Sequence, residues 1–131
     1  MEHMLKHELQ VTILKGELTI YRFPPDFSIP IELYASTFFS VTRTDEELSV
    51  VCSSGLNLDS VEKENGWSCI KVLGPLDFSL TGILANISAI LAEAKISIFA
   101  ISTYDTDYIL VKTEKLALSE KCLSQNGYKF V

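Results

Sequence analysis

The second half of the chain alternates between the two hydrophobic periods of regular secondary structure, and this alternation limits its fold most strongly. Strands are predicted at residues 68–73, 96–102, 108–112 and 128–131. Between the first two strands, apolar residues recur with the i, i+3, i+4, i+7 spacing of one helix face. They lie at Leu80, Ile83, Leu84, Ile87, Leu91 and Ala94. A shorter helix is predicted over 116–125, and Asn126-Gly127 supplies its left-handed exit.

The resulting order is β-α-β-β-α-β, which predicts an α+β fold of the ferredoxin-like type. Such a fold is a four-stranded antiparallel sheet with two helices on one face. Its open face needs a cover, and either the first half of the chain or a second subunit would supply it.

The first half of the chain is β-rich. Strands are predicted at residues 11–14, 17–23, 38–44 and 47–52, with turns at Lys15-Gly16 and Asp45-Glu46 and a short helix over 30–34. Residues 57–67 are charged and lose periodicity, so they are predicted to connect the two halves. We therefore predict a shortened, β-rich unit at 8–60 and a complete domain at 68–131.

The charge balance disfavours several classes of partner. The formal net charge is −6, and the chain has only two arginines, Arg22 and Arg43. Nucleic acids and anionic membranes are bound largely through Lys and Arg, so neither is expected. The uncharged run over 78–92 is too short and too polar to span a membrane. Since the first residues lack the apolar core of a signal peptide, we expect a cytoplasmic protein.

Residues for catalysis are scarce. The two histidines, His3 and His7, lie near the N-terminus, and no nucleophile, metalloprotease or dinucleotide motif occurs. The three cysteines, Cys52, Cys69 and Cys122, lie far apart and are interpreted as small buried hydrophobes. We expect a non-catalytic protein without a cofactor or a metal site.

Two polar segments are the candidates for ligand binding. One is the loop that enters the first helix of the domain; the other is the turn between its two middle strands. The loop candidates are Leu76, Asp77, Phe78, Ser79, Leu80, Thr81 and Gly82. The turn candidates are Ser102, Thr103, Tyr104, Asp105, Thr106 and Asp107.

Each segment has a structural interpretation beside the functional one. Unpaired N–H groups at the helix start can bind a carboxylate or phosphate, with Asp77 or Ser79 as the alternative cap. Gly82 either lets a ligand approach or lets the helix pack closely on the sheet. Asp105 and Asp107 either bind an ammonium or guanidinium group, or the turn bonds its own backbone, which composition favours. Calcium is a further option for this turn, but its oxygens are too few.

These same segments resemble a known family. The runs GPLDFSLTGI (74–83) and LAEAKISIFAISTYDTDYILVK (91–112) are similar to short bacterial tandem ACT-domain proteins, of the subfamily that contains the animal cytosolic arginine sensors. DEELSVVC (45–52) is similar to the first, shortened ACT unit of these proteins. The resemblance implies paired βαββαβ units and a small ligand, usually an amino acid, where the strand-to-helix loop meets a neighbouring unit.

Two functions follow as hypotheses. The first is a regulatory, amino-acid-binding module, a homodimer whose ligand lies at the loop over 76–82 and the turn over 102–107. The alternative is an ACT-type dimerisation module that uses the same loop and turn to assemble and binds no ligand.

Overall fold

The computed structural model describes residues 9–60, 62–73 and 82–131. The chain forms two compact units. The large unit contains the first strand and Ser68–Val131, and the small unit is Gly16–Trp67. The strand β5 (Lys63–Val72) crosses the boundary, so each part of it is described with its own unit. The division of the sequence into domains at 8–60 and 68–131 stays a prediction.

The large unit is an α+β fold with the predicted ferredoxin-like order. Besides the end of β5, its elements are β1 (Leu9–Ile13), α1 (Ile83–Glu93), β6 (Ile98–Ser102), β7 (Asp107–Lys112), α2 (Leu116–Gln125) and β8 (Tyr128–Phe130). Residues 68–72 continue as β5, and the strands lie in the order β6-β7-β5-β1-β8. The second helix has the bounds that the sequence predicts, and Gly127 ends it with a φ of 94°.

The sheet of the large unit differs from the predicted four strands, because β1 lies between β5 and β8. It pairs antiparallel with β5 and parallel with β8, so that Val11 faces Val72 on one side and Phe130 on the other. The chain bends at Lys15-Gly16, but β1 and β2 do not form a hairpin there. Sequence patterns identify strands well, but the partner of a strand depends on contacts distant in sequence.

The core of the large unit lies between the helices and one face of this sheet. Helix α1 contributes Ile87 and Leu91, and α2 contributes Leu123, all fully buried. Strand residues of one face pack against them, such as Ile70 and Val111. Alternation along each strand places these residues on the helix side. Complete burial of a large aliphatic side chain contributes about 1.5–3 kcal/mol, so this face stabilises the unit strongly.

The small unit is a short antiparallel sheet with its own core. Its strands are β2 (Leu18–Phe23), β3 (Ser40–Arg43) and β4 (Leu48–Ser53), and residues 63–67 of β5 pair with β2. The hairpin around Asp45-Glu46 is confirmed, because β3 pairs with β4 from Ser40–Val51 to Arg43–Leu48. The short helix predicted over 30–34 is a 3-10 helix at Ile31–Ala35, with Pro30 as its N-cap, and it buries Leu33.

Two sequence predictions were wrong in their bounds. The connector predicted over 57–67 ends early, because residues 63–67 form the start of β5. Residues 62–65 are exposed and charged or polar, so the alternation that marks a strand is absent there. Helix α1 begins at Ile83, three residues later than predicted, because Gly82 is in the left-handed conformation and cannot continue a helix. No helix among the described residues is long and apolar enough to cross a membrane.

Candidate functional site

The turn between β6 and β7 is held against the end of β5. Ser102 and Asp107 form the last pair of the β6–β7 ladder, and the chain reverses between them. The buried hydroxyl of Thr106 donates a hydrogen bond of 2.6 Å to the carbonyl of Val72, the last residue of β5. Because the predicted ligand loop begins only four residues after Val72, the turn lies beside the stretch of chain that leads into that loop.

Most polar side chains of the turn bond within it. The hydroxyl of Thr103 donates to the Thr106 carbonyl at 3.1 Å and accepts from the Thr106 N–H at 3.3 Å. The hydroxyl of Ser102 donates to the Asp107 carboxylate at 2.5 Å. These bonds are the ones that the structural interpretation of the turn predicts. They give the turn a defined shape and occupy part of the hydrogen-bonding capacity of Asp107.

Tyr104 and Asp105 lie at the tip of the turn. Both are exposed, and Tyr104 is as accessible as in an extended chain. Within the described part of the chain, no hydrogen bond or ion pair reaches the Asp105 carboxylate. Of the two aspartates in the turn, Asp105 therefore has the greater capacity left for a cation.

The other predicted segment is described only at its end. Residues Leu76–Thr81 lie outside the described residues, and so do the proposed caps Asp77 and Ser79. Gly82 has a φ of 96° and occupies the cap position of α1, where it has no side chain to bond the first N–H groups. A Cβ atom at Gly82 would meet no described atom within 4 Å. The glycine is therefore required by its backbone conformation, and close packing on the sheet does not explain it.

The start of α1 is anchored at one further point. The N–H of Asn86 donates to the Gly82 carbonyl at 2.8 Å, which closes the first helical turn. The side-chain oxygen of Asn86 accepts a bond of 2.6 Å from the hydroxyl of Tyr128 on β8. Burial raises the pKa of Tyr128. Sequence reasoning missed Asn86, Tyr128 and the Thr106–Val72 bond, because each contact joins residues at least 34 positions apart.

The two buried cysteines show no sign of reactivity. Cys52 and Cys69 are fully buried, as predicted for small hydrophobes, and Cys122 is half-buried. Burial raises the pKa of Cys52 to about 11 and that of Cys69 to about 12. The two buried thiols are therefore protonated at neutral pH. In the described ranges, no three His, Cys, Asp or Glu side chains lie close enough together to hold a metal ion.

Comparison with known families assigns the large unit. A family model described as the ACT domain matches residues 62–125. The chain is an ACT-domain protein. Its ACT match covers β5, both helices and the turn described above. A second family model, for an N-terminal domain, matches residues 16–56 within the small unit.

Individual relatives agree with this assignment. The human protein CASTOR3P is 32% identical over 101 residues, which are 77% of this ACT-domain chain and 57% of that protein. This chain thus spans little more than half the length of that relative. A crystal structure of an Agobacterium tumefaciens protein is 35% identical, with a TM-score of 0.89 over 95% of this chain and 92% of that one. The fold also matches the regulatory subunit of aspartate kinase from Thermus thermophilus, in its ligand-free form. That match has a TM-score of 0.60 at 10% identity, over 86% of this chain and 95% of that one.

Proposed function

We propose that this ACT-domain protein is a non-catalytic regulatory module that binds an amino acid. The observation that carries the proposal is the bond from Thr106 to Val72, which holds the polar turn beside the entrance to the loop over 76–82. The turn thereby lies at the end of β5 from which the chain runs toward that loop. The regulatory role is supported by the likeness of the fold to an aspartate kinase regulatory subunit.

The two segments suit the two charged groups of a free amino acid. Its carboxylate would accept bonds from N–H groups at the start of α1, where the helix dipole favours negative charge. Its ammonium would bind the Asp105 carboxylate, which has no described partner, with Asp107 next to it. Charge-assisted bonds of this kind are about twice as strong as neutral ones, and they would fix the orientation of the ligand.

A thermal-shift screen of the twenty amino acids at millimolar concentration tests this proposal. A ligand at 100 times its dissociation constant adds about 2.7 kcal/mol to the free energy of unfolding. We expect one amino acid, or one chemically related group, to raise the melting temperature. If none shifts the melting temperature of the folded protein, the binding proposal is wrong.

Substitutions then locate the site. Asp105→Asn should remove the response without changing the melting temperature of the ligand-free protein, because the carboxylate is exposed. Glu114→Gln is the matched control: it also neutralises an exposed carboxylate, but it lies beyond the opposite end of β7. A response that survives Asp105→Asn would place the ligand elsewhere.

The second candidate function is assembly through the same turn, and the complete exposure of Tyr104 favours it. A large aromatic side chain at the tip of an ordered turn is typical of residues that become buried in an interface. Asp107→Lys separates the two functions. Loss of the ligand response with an unchanged sedimentation coefficient supports binding, whereas a change from dimer to monomer without any ligand supports assembly.

A further inference from the structure

The segment over residues 24–39 of the small unit buries Leu33 in the core but leaves most of its large apolar side chains exposed. Five large apolar side chains of this segment are well exposed: Phe27 (41%), Ile29 (53%), Ile31 (77%), Tyr34 (82%) and Phe39 (39%). We call these five residues the apolar strip. Most of the other large apolar residues in the described part of the chain are buried or half-buried, so the strip is a concentrated exception.

The strip is held in a defined conformation. The guanidinium of Arg43 donates to the carbonyls of Pro25 and Phe27, the second bond measuring 2.9 Å. The ring of Phe27 stacks on buried Phe23 with centroids 4.6 Å apart. At the other end, the Ser36 hydroxyl donates to Phe38 and accepts from the Ser53 N–H. An ordered surface loses little conformational entropy on association. Less of the free energy gained by burying it is therefore spent on ordering the segment.

The strip follows the edge strand of the small sheet. Phe39 directly precedes β3, and Arg43, which holds the Phe27 end, is the last residue of that strand. Four residues of strand separate the two ends by about 13 Å. The rings of Tyr34 and Phe39 meet edge to face at 6.0 Å. Within the described residues β3 pairs only with β4, so its other edge is open to a further strand.

The size of the strip matches one side of a protein interface. The exposed fractions add up to about three whole side chains, and a large aromatic side chain buries about 150–250 Å². The strip thus offers on the order of 600 Å² of apolar surface. A standard interface takes about 800 Å² from each partner, and the largest apolar patch of an ordinary monomer is about 300–600 Å². The strip alone thus reaches about three quarters of one side of a standard interface, and polar atoms around it would have to supply the rest.

We infer that the apolar strip is the contact surface for a second copy of this chain. A strip that is apolar along its whole length is complementary to itself, which a two-fold interface requires. The segment contains only two charged residues, Asp26 and Glu32, and interface cores are depleted in charge in the same way. It has no Lys or Arg, so it offers nothing to the headgroups of an anionic membrane.

Charge gives this interface a characteristic salt dependence. Gly16–Trp67 holds nine carboxylates and three cations, so it carries a charge of −6, equal to that of the whole chain. Two such units repel each other, and salt screens this repulsion with a Debye length of about 8 Å at physiological ionic strength. Dimerisation through the strip should therefore tighten as salt is added. A partner with a basic surface would instead bind more weakly as salt is added, because salt screens its attraction to the acidic unit.

Sedimentation velocity on the full chain, over micromolar to millimolar concentrations and two salt concentrations, tests the inference. We expect a dimer that Tyr34→Asp dissociates, with a dissociation constant raised about thirtyfold or more, the effect of an interface hot spot. Leu118→Asp is the control, since it introduces the same charge at an exposed apolar residue of the large unit that belongs to neither candidate segment. Both side chains lie outside the cores, and circular dichroism would verify that the variants are folded.

The possible outcomes are distinct. Dissociation by Tyr34→Asp together with an intact Leu118→Asp dimer supports the strip. A monomeric wild-type chain at all concentrations, or a dimer that Tyr34→Asp leaves intact, overturns the inference. A dimer that salt weakens also contradicts it. None of these results depends on the amino-acid site, which the thermal-shift screen tests separately.

Discussion

Replacing Thr106 by valine removes the bond that holds the turn to β5 and leaves the shape of the side chain almost unchanged. The pairing of β5 with β1 shows that the Val72 carbonyl is free to accept this bond. The Leu73 N–H donates to the Gln10 carbonyl at 2.8 Å, so Gln10–Leu73, the pair next to Val11–Val72, is a hydrogen-bonded pair. Val11–Val72 is therefore a non-hydrogen-bonded pair, and the Val72 carbonyl faces away from β1, toward Thr106.

The expected cost of Thr106→Val is that of a buried carbonyl deprived of its side-chain donor, about 1–3 kcal/mol. Equilibrium denaturation with urea measures it as a lower midpoint at an unchanged slope. The control is Thr42→Val on β3, where the side chain is exposed and makes no hydrogen bond to the described residues. We expect that change to stay within about 0.5 kcal/mol.

The result also bears on the proposed site. If Thr106→Val is as stable as the wild type, the 2.6 Å bond contributes nothing, and the argument that the turn is fixed beside the loop fails. If the variant is destabilised but still folded, its affinity for an amino acid should fall as well, because the turn is no longer held in place.

Three further predictions concern the large unit. Leu91→Ala should lower the free energy of unfolding by about 2–5 kcal/mol in urea denaturation, because it opens a cavity in a fully buried position of α1. Gly82→Ala should cost about 1–2 kcal/mol, because its φ is positive, whereas Gly55→Ala, which meets only an ordinary contact, should cost less in the same assay. Above pH 9 the unfolded Cys69 thiol ionises while the folded one, with its pKa raised to about 12, stays protonated, so stability should fall. The loss is about 1.4 kcal/mol per pH unit between pH 9 and 12, and a pH series of denaturation curves should show a shallower decline for Cys69→Ala.

The sequence predicts those parts of the fold whose signals are local. Helix α2 is one example, since its apolar spacing and the glycine after it define both ends. The β3–β4 hairpin is another, because two β-rich runs flank a short polar turn. Where the local signal is weak, the prediction fails: residues 63–67 form a strand although they are mostly exposed and polar, and pairing with β2 supplies what their sequence lacks.

The candidate site is predictable only as a set of residue types. Short oxygen-bearing side chains identify the turn over 102–107, but nothing in their order distinguishes buried Thr106 from exposed Thr103. That difference arises because the chain places Thr106 at the carbonyl of Val72, 34 positions away. Likewise, the sequence does not show which of the two carboxylates, Asp105 or Asp107, can still bind a ligand. That becomes apparent only from the bond between Ser102 and Asp107.

The position of β1 has a consequence for how the large unit folds. In the described structure β8 pairs with β1 alone, and the Val131 N–H donates to Val11 at 2.9 Å. Ser68–Val131 alone therefore cannot complete the sheet, because β5 and β8 are joined only through β1, which precedes the small unit in the sequence. Pairing of β1 with β5 closes a loop that contains residues 16–67. Closing a loop of about fifty residues costs entropy before the contacts form, and this slows folding. A fragment that starts at Ser68 would leave both β5 and β8 with an open edge, and we expect it to aggregate or to remain partly unfolded.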